Sequence, residues 1–163
     1  LYIDNIVFLT YSFNNKNKQL GKKMTTTRLV TGILIDPWTQ TIEAKNFAHH
    51  YKNINKIIGA HTFDVLTFNK FEDGIFIDDN GLYAEFKCPW IIETDWGKQA
   101  LVNKGLVLGV NSKGESIAPK ESIEKIKERI SFGEKAFQGF LKEDVFPAYK
   151  VKEGKLERAE DDS

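Results

Sequence analysis

The sequence predicts an α+β fold: a single domain built on a mostly antiparallel sheet with two or three helices packed on it. Three observations carry that expectation. Short β-type runs follow one another with turn residues between them, which argues against a doubly wound parallel sheet. Helical spacing of apolar residues is confined to a short segment near residues 50–58 and to the later part of the chain. A length of 163 residues, 41% hydrophobic and 28% charged, is enough for one buried core, and with Cys88 the only cysteine no intrachain disulfide supports it.

Each element has its own signal. Residues 28–35 are rich in β-branched side chains and stop at Asp36-Pro37, a turn pair, so that residues 39–47 return as the second arm of a hairpin. Tyr51, Ile54, Ile57 and Ile58 have helical spacing, and Gly59 stands where a left-handed C-cap belongs. Residues 62–68 return to strand spacing. The runs 74–77 and 82–86 flank Asp78-Asp79-Asn80-Gly81, and Asn-Gly predicts a type I′ hairpin there. Residues 88–97 are read as irregular and 98–103 as a helical turn. The run Gly105-Leu106-Val107-Leu108-Gly109-Val110 suits a strand buried on both faces. Pro119 is expected to open a helix with Ile123, Ile126 and Ile130 as its buried stripe and Glu121, Glu124, Lys125, Lys127, Glu128 and Arg129 solvated. Phe137, Phe140, Leu141, Val145 and Phe146 suggest one more short helix.

The chain divides into residues 1–23, an extension or edge strand; 24–149, the core domain; and 150–163, a charged tail expected to be unstructured. The first residue is Leu1 and the one methionine is Met24, with an Asn/Lys-rich stretch between them of linker composition. A formal net charge of zero argues against a protein organised around phosphate binding, so no strong nucleic-acid signal is present. No run of about 18 apolar residues suggests a membrane helix, and the lone cysteine fits a cytoplasmic location.

Residues able to do chemistry are scattered. His49, His50, His61 and Cys88 lack metal-ligand spacing, so no metal site is expected, and no cofactor motif occurs. Glu72, Asp73, Asp78 and Asp79 form an acidic group around the central strands, and paired carboxylates of that kind serve general acid/base work or Mg²⁺. Asp78 and Asp79, however, stand at turn positions that favour Asp for backbone reasons. The catalytic candidates are Glu72, Asp73, Asp79 and His61. The aromatic residues point elsewhere. Trp38 falls in a turn, and Trp90 and Trp96 in the least regular segment; with Tyr51 and Tyr83 they are the candidate ligand- or partner-binding residues, because exposed large aromatics anchor partners.

Taken together, the strand ending Asp36-Pro37, the helix ending Ile57-Ile58-Gly59, the strand from Phe63 to Phe68, Ile75-Phe76-Ile77-Asp78-Asp79-Asn80-Gly81-Leu82, Gly105-Leu106-Val107-Leu108-Gly109 and the helix Glu121-Ser122-Ile123-Glu124-Lys125-Ile126 give the chain a resemblance. Over residues 28–132 it resembles an uncharacterised small α+β domain family widespread in bacteriophages and bacterial mobile elements. Residues 86–98 depart from that pattern. The resemblance implies a virus-encoded accessory protein acting in an infected cell. The expected function is a non-enzymatic binding module that inhibits a host protein or captures a small signalling molecule or nucleotide, working as a homo-oligomer. The alternatives are a small enzyme acting on a nucleotide-type metabolite through an acidic site, and a structural or virion-associated subunit.

Overall fold

The computed structural model describes residues 27–133, 149–152 and 155–158. The architecture among them is α+β with mostly antiparallel pairing. The hairpin expected at the start is β1 (Leu29–Asp36) and β2 (Thr41–Ala48), paired along their whole length from Leu29 opposite Ala48 to Asp36 opposite Thr41. Helix α1 (Tyr51–Ile58) follows. His50 caps it, its Nδ1 accepting from Lys52 N at 3.2 Å, and Gly59 ends it at φ 70, a left-handed conformation in which glycine has no side-chain penalty. Strands β3 (Phe63–Thr67), β4 (Gly74–Asp78) and β7 (Gly105–Val110) complete a sheet in the order β2-β1-β7-β4-β3, with the short β8 (Ser116–Ile117) pairing to β7.

Strand β7 lies at the centre because its side chains are apolar on both faces. Leu106 and Leu108 pack with Val30, Phe47 and the α1 residues Ile54 and Ile58. Val107 faces the other way and joins Ile33, Ile35, Ile75 and Phe68 in the larger core. That second face is covered by a three-stranded sheet in the order β6-β5-β9, formed by β5 (Pro89–Thr94), β6 (Gly97–Val102) and β9 (Ile130–Phe132), and by helix α2 (Ile123–Arg129). Trp90 and Ile92 of β5 and Ile126 of α2 enter the same core.

Three local expectations are corrected. The Asn80-Gly81 hairpin does not form: β4 pairs with β3 and β7, and Gly81–Tyr83 is a single 3₁₀ turn. The Asp78 carboxylate accepts from Asn80 N at 3.0 Å and holds Asn80 at φ −103, away from the left-handed angles a type I′ turn demands. Residues 88–103 are neither irregular nor helical but the β5–β6 hairpin, since Trp90, Ile91 and Ile92 find apolar cover on both faces. Helix α2 opens not at Pro119 but after Ser122, whose Oγ accepts from Lys125 N. The amides of Lys120 and Glu121 are instead donated to a buried carboxylate, so the chain there is not helical.

Part of the tail read as unstructured pairs: β10 (Tyr149–Lys152) and β11 (Lys155–Arg158) form an antiparallel ladder, in keeping with the alternation of apolar and charged residues along the first of the two segments. The segment 1–23 and the helix expected over 137–146 lie outside the described residues. No helix among the described residues is long and apolar enough to cross a membrane.

Candidate functional site

At the end of the main sheet where β3 turns into β4, five residues from Asn69 to Asp73 make a tight connection. Asn69 dictates its shape: the side-chain Oδ1 accepts from Phe71 N at 3.1 Å and Asp73 N at 3.0 Å, a local bond pattern that Asn favours in turns. Glu72 takes up a left-handed φ of 64 to close the loop. Asp73 is fully buried and its carboxylate is surrounded by donors. Lys120 N reaches Oδ1 at 2.9 Å, while Glu121 N at 2.9 Å and Asn69 Nδ2 at 3.0 Å reach Oδ2. A buried carboxylate is stable only with its oxygens satisfied in this way.

The neighbouring connection is the two-residue loop Asp95-Trp96 between β5 and β6. Asp95 N donates to Phe68 O at 2.9 Å, and the Asp95 carboxylate accepts from Lys70 N at 2.8 Å. Arg129, at the end of α2, closes the arrangement. Its Nε and Nη2 hold the two oxygens of Glu121 at 2.7 and 2.9 Å, Nη2 also reaches Asp95 at 2.9 Å, and Nη1 donates to Glu93 O at 2.9 Å. The guanidinium lies 5.7 Å from the centre of the Phe68 ring. The links form a circuit from Asp73 through Glu121, Arg129, Asp95 and Lys70 back to the 69–73 turn. Such charge-assisted, mutually polarising bonds fix the relative position of the segments they join.

The electrostatics follow the geometry. The Lys70 amide, and next the Arg129 side chain, hold the Asp95 carboxyl below its usual range. Arg129 is held still more firmly in its charged form, chiefly by its bonds to Glu121. The acids and the base are therefore engaged with one another and with backbone amides. The circuit is a clamp, and what it holds outward is aromatic. Phe71, at the tip of one turn, is 54% exposed, and Trp96, at the tip of the other, is 66% exposed.

The structure disperses the other residues singled out in the sequence. Asp73 belongs to the clamp and Glu72 sits exposed beside it. Asp79 and His61 lie at the opposite end of β4, where Asp79 accepts from Thr62 Oγ1 at 2.6 Å, so the four catalytic candidates do not converge. Trp90 is 1% exposed in the core, with Nε1 donating to Asn103 O at 2.7 Å, and no partner can reach its ring. Trp38 lies in the β1–β2 turn and Tyr83 in the 3₁₀ turn, toward the end of the sheet away from the clamp. Tyr51 stacks on His50 at the start of α1. Of the five, only Trp96 stands at the clamp.

Sequence reasoning missed Phe71, Asn69, Asp95, Glu121 and Arg129. The legible signal was Asn-x-x-x-Asp over 69–73, the spacing that lets one side chain bridge a turn. Among the described residues no group of three His, Cys, Asp or Glu side chains is placed to hold a metal ion. No family model, curated protein or solved structure matches the chain.

Proposed function

We propose that this protein is a non-enzymatic binding module that docks a protein partner on Phe71 and Trp96. One observation carries the reading: two large aromatic side chains are displayed on adjoining turns whose backbones are locked by the Asp73–Glu121–Arg129–Asp95 circuit. Exposing rings of this size to water is unfavourable in the free protein, and such residues are the ones that dominate binding energy when a partner covers them. A locked display reduces the ordering cost of association. Both rings project from turn tips, a convex arrangement that suits insertion into a groove on a macromolecule better than enclosure of a small molecule. The resemblance to the bacteriophage-borne family supports a host protein as that partner.

The test is affinity capture from cells of the native source with quantitative mass spectrometry. The native chain is expected to retain one or a few proteins that Phe71→Ala and Trp96→Ala lose and that Tyr83→Ala keeps. A small molecule recovered from the denatured native chain, with no protein lost in the variants, would favour the ligand-capturing reading instead.

A further inference from the structure

The outer edge of β2 is a self-complementary docking strand, and we infer that two copies of this chain join there in antiparallel register about a two-fold axis through Ala44. The alternation of the β1–β2 ladder fixes which groups are free. His49 N donates to Arg28 O, and with the observed register this assigns residues 41, 43, 45 and 47 to the bonds with β1. The amides and carbonyls of Ile42, Ala44 and Asn46 therefore face outward. Among the described residues β2 is the last strand on its side of the sheet, eight residues long, and the run 43–46 is exposed throughout. A strand with a free edge of this kind templates pairing with another strand. On the opposite edge, β3, one outward group is already engaged within the strand: the amide of Val65 donates to the Asp64 carboxylate at 2.8 Å.

Charge selects the occupant and the register. Glu43 and Lys45 flank Ala44 on one face of the strand. With Ala44 on the axis, Glu43 faces Lys45 of the partner subunit and Lys45 faces Glu43 of the partner subunit. Ile42, Ala44 and Asn46 then exchange about six main-chain hydrogen bonds with the second copy. Sliding the pairing to either neighbouring in-phase register places Glu43 on its own copy or Lys45 on its own copy, and like charges directly opposite are destabilising. Attraction in one register with repulsion in its neighbours is the mark of a specific pairing, and the small side chain at the axis leaves room for the crossing. The result is a sheet continuous across both subunits, with the Phe71 and Trp96 surface of each left open. This pairing does not depend on what that surface binds.

Sedimentation velocity on the full chain tests it, with circular dichroism confirming that each variant is folded. The native protein is expected to sediment at twice its 18.6 kDa mass at about 100 µM. Glu43→Lys and Lys45→Glu are each expected to weaken the dimer about tenfold or more, because each places like charges opposite at two points of the interface. The double variant Glu43→Lys/Lys45→Glu restores the attraction and is expected to return the dimer to native strength. Ala44→Pro removes an amide that the fold does not use and is expected to yield monomer. A native protein that stays monomeric, a dimer indifferent to the single reversals, or a double variant that fails to recover would each overturn the assignment.

Discussion

Arg129 and Glu121 are eight residues apart, yet they meet in two parallel hydrogen bonds, Nε to Oε2 at 2.7 Å and Nη2 to Oε1 at 2.9 Å. The bidentate geometry is the strongest form of this pair. It ties the segment before α2 to the last residue of the helix, and Nη2 donates to Asp95 as well. Glu121 is almost fully buried, with a side-chain exposure of 5%, so its charge has no recourse to water.

Breaking that pair is therefore costly. Arg129→Ala leaves the Glu121 carboxylate buried without its guanidinium and is expected to lower unfolding stability by about 3 kcal/mol. The urea midpoint at unchanged slope reports it. Arg129→Met with Glu121→Leu, which removes both charges together, is expected to recover much of the loss.

Asp95 makes the stability sensitive to acid. Its carboxyl is held below the ordinary value of 3.8 by the Lys70 amide first and the Arg129 side chain second. A carboxyl whose folded value is depressed contributes fully above its unfolded value, and the contribution is lost as pH falls through the folded value. Stability is thus expected to drop below about pH 4. Asp95→Asn is expected to be less stable at neutral pH and to show a shallower decline across that window. An unchanged acid limb in the variant would contradict the role given to Asp95.

Gly109 is set by space rather than by backbone angle. A Cβ built there falls 2.6 Å from the carbonyl oxygen of Ala118 and 3.0 Å from Asp73 Oδ1. Gly109→Ala must push main chain aside and is expected to cost about 3 kcal/mol. Gly59, with φ 70 and open space around it, is expected to lose only about 1 kcal/mol on the same change, from strain alone. Thermal denaturation of the two variants separates the causes.

Phe71 and Trp96 are expected to contribute little to the fold. Each replaced by Ser, the protein should keep its stability within about 0.5 kcal/mol, as is usual for exposed positions. Trp90→Ala, by contrast, empties a core site and removes a hydrogen bond, with an expected loss of about 4 kcal/mol. If Trp96→Ser proved equally destabilising, its ring would be serving the fold rather than a partner.

What could be read in the sequence was what local chemistry decides. Gly59 ends α1 because a left-handed residue is needed there, and the apolar run at 105–110 lies at the sheet centre because both its faces are apolar. The Asn80-Gly81 signal misled because the Asp78 side chain captured the turn, a competition between neighbours that propensity does not rank. Trp90 and Trp96 looked alike, six residues apart, and only the pairing of β5 with both β6 and β9 buries the first and leaves the second at a loop tip. The clamp was hidden for a different reason. Arg129 meets Asp95 across 34 positions of sequence, and Glu121 and Arg129 carry the same charges that mark an ordinary solvated helix face.

Site-directed photo-crosslinking tests whether Phe71 and Trp96 form the partner-binding surface. A photoreactive phenylalanine analogue is placed singly at positions 71, 96, 83 and 86 of the full chain in cells of the native source, and the adducts are identified by mass. The prediction is one common protein adduct from 71 and 96 and none of it from 83 and 86, although Tyr83 and Phe86 are 85% and 64% exposed. An adduct from 83 or 86 with none from 71 and 96 would place recognition at the opposite end of the sheet and contradict the account.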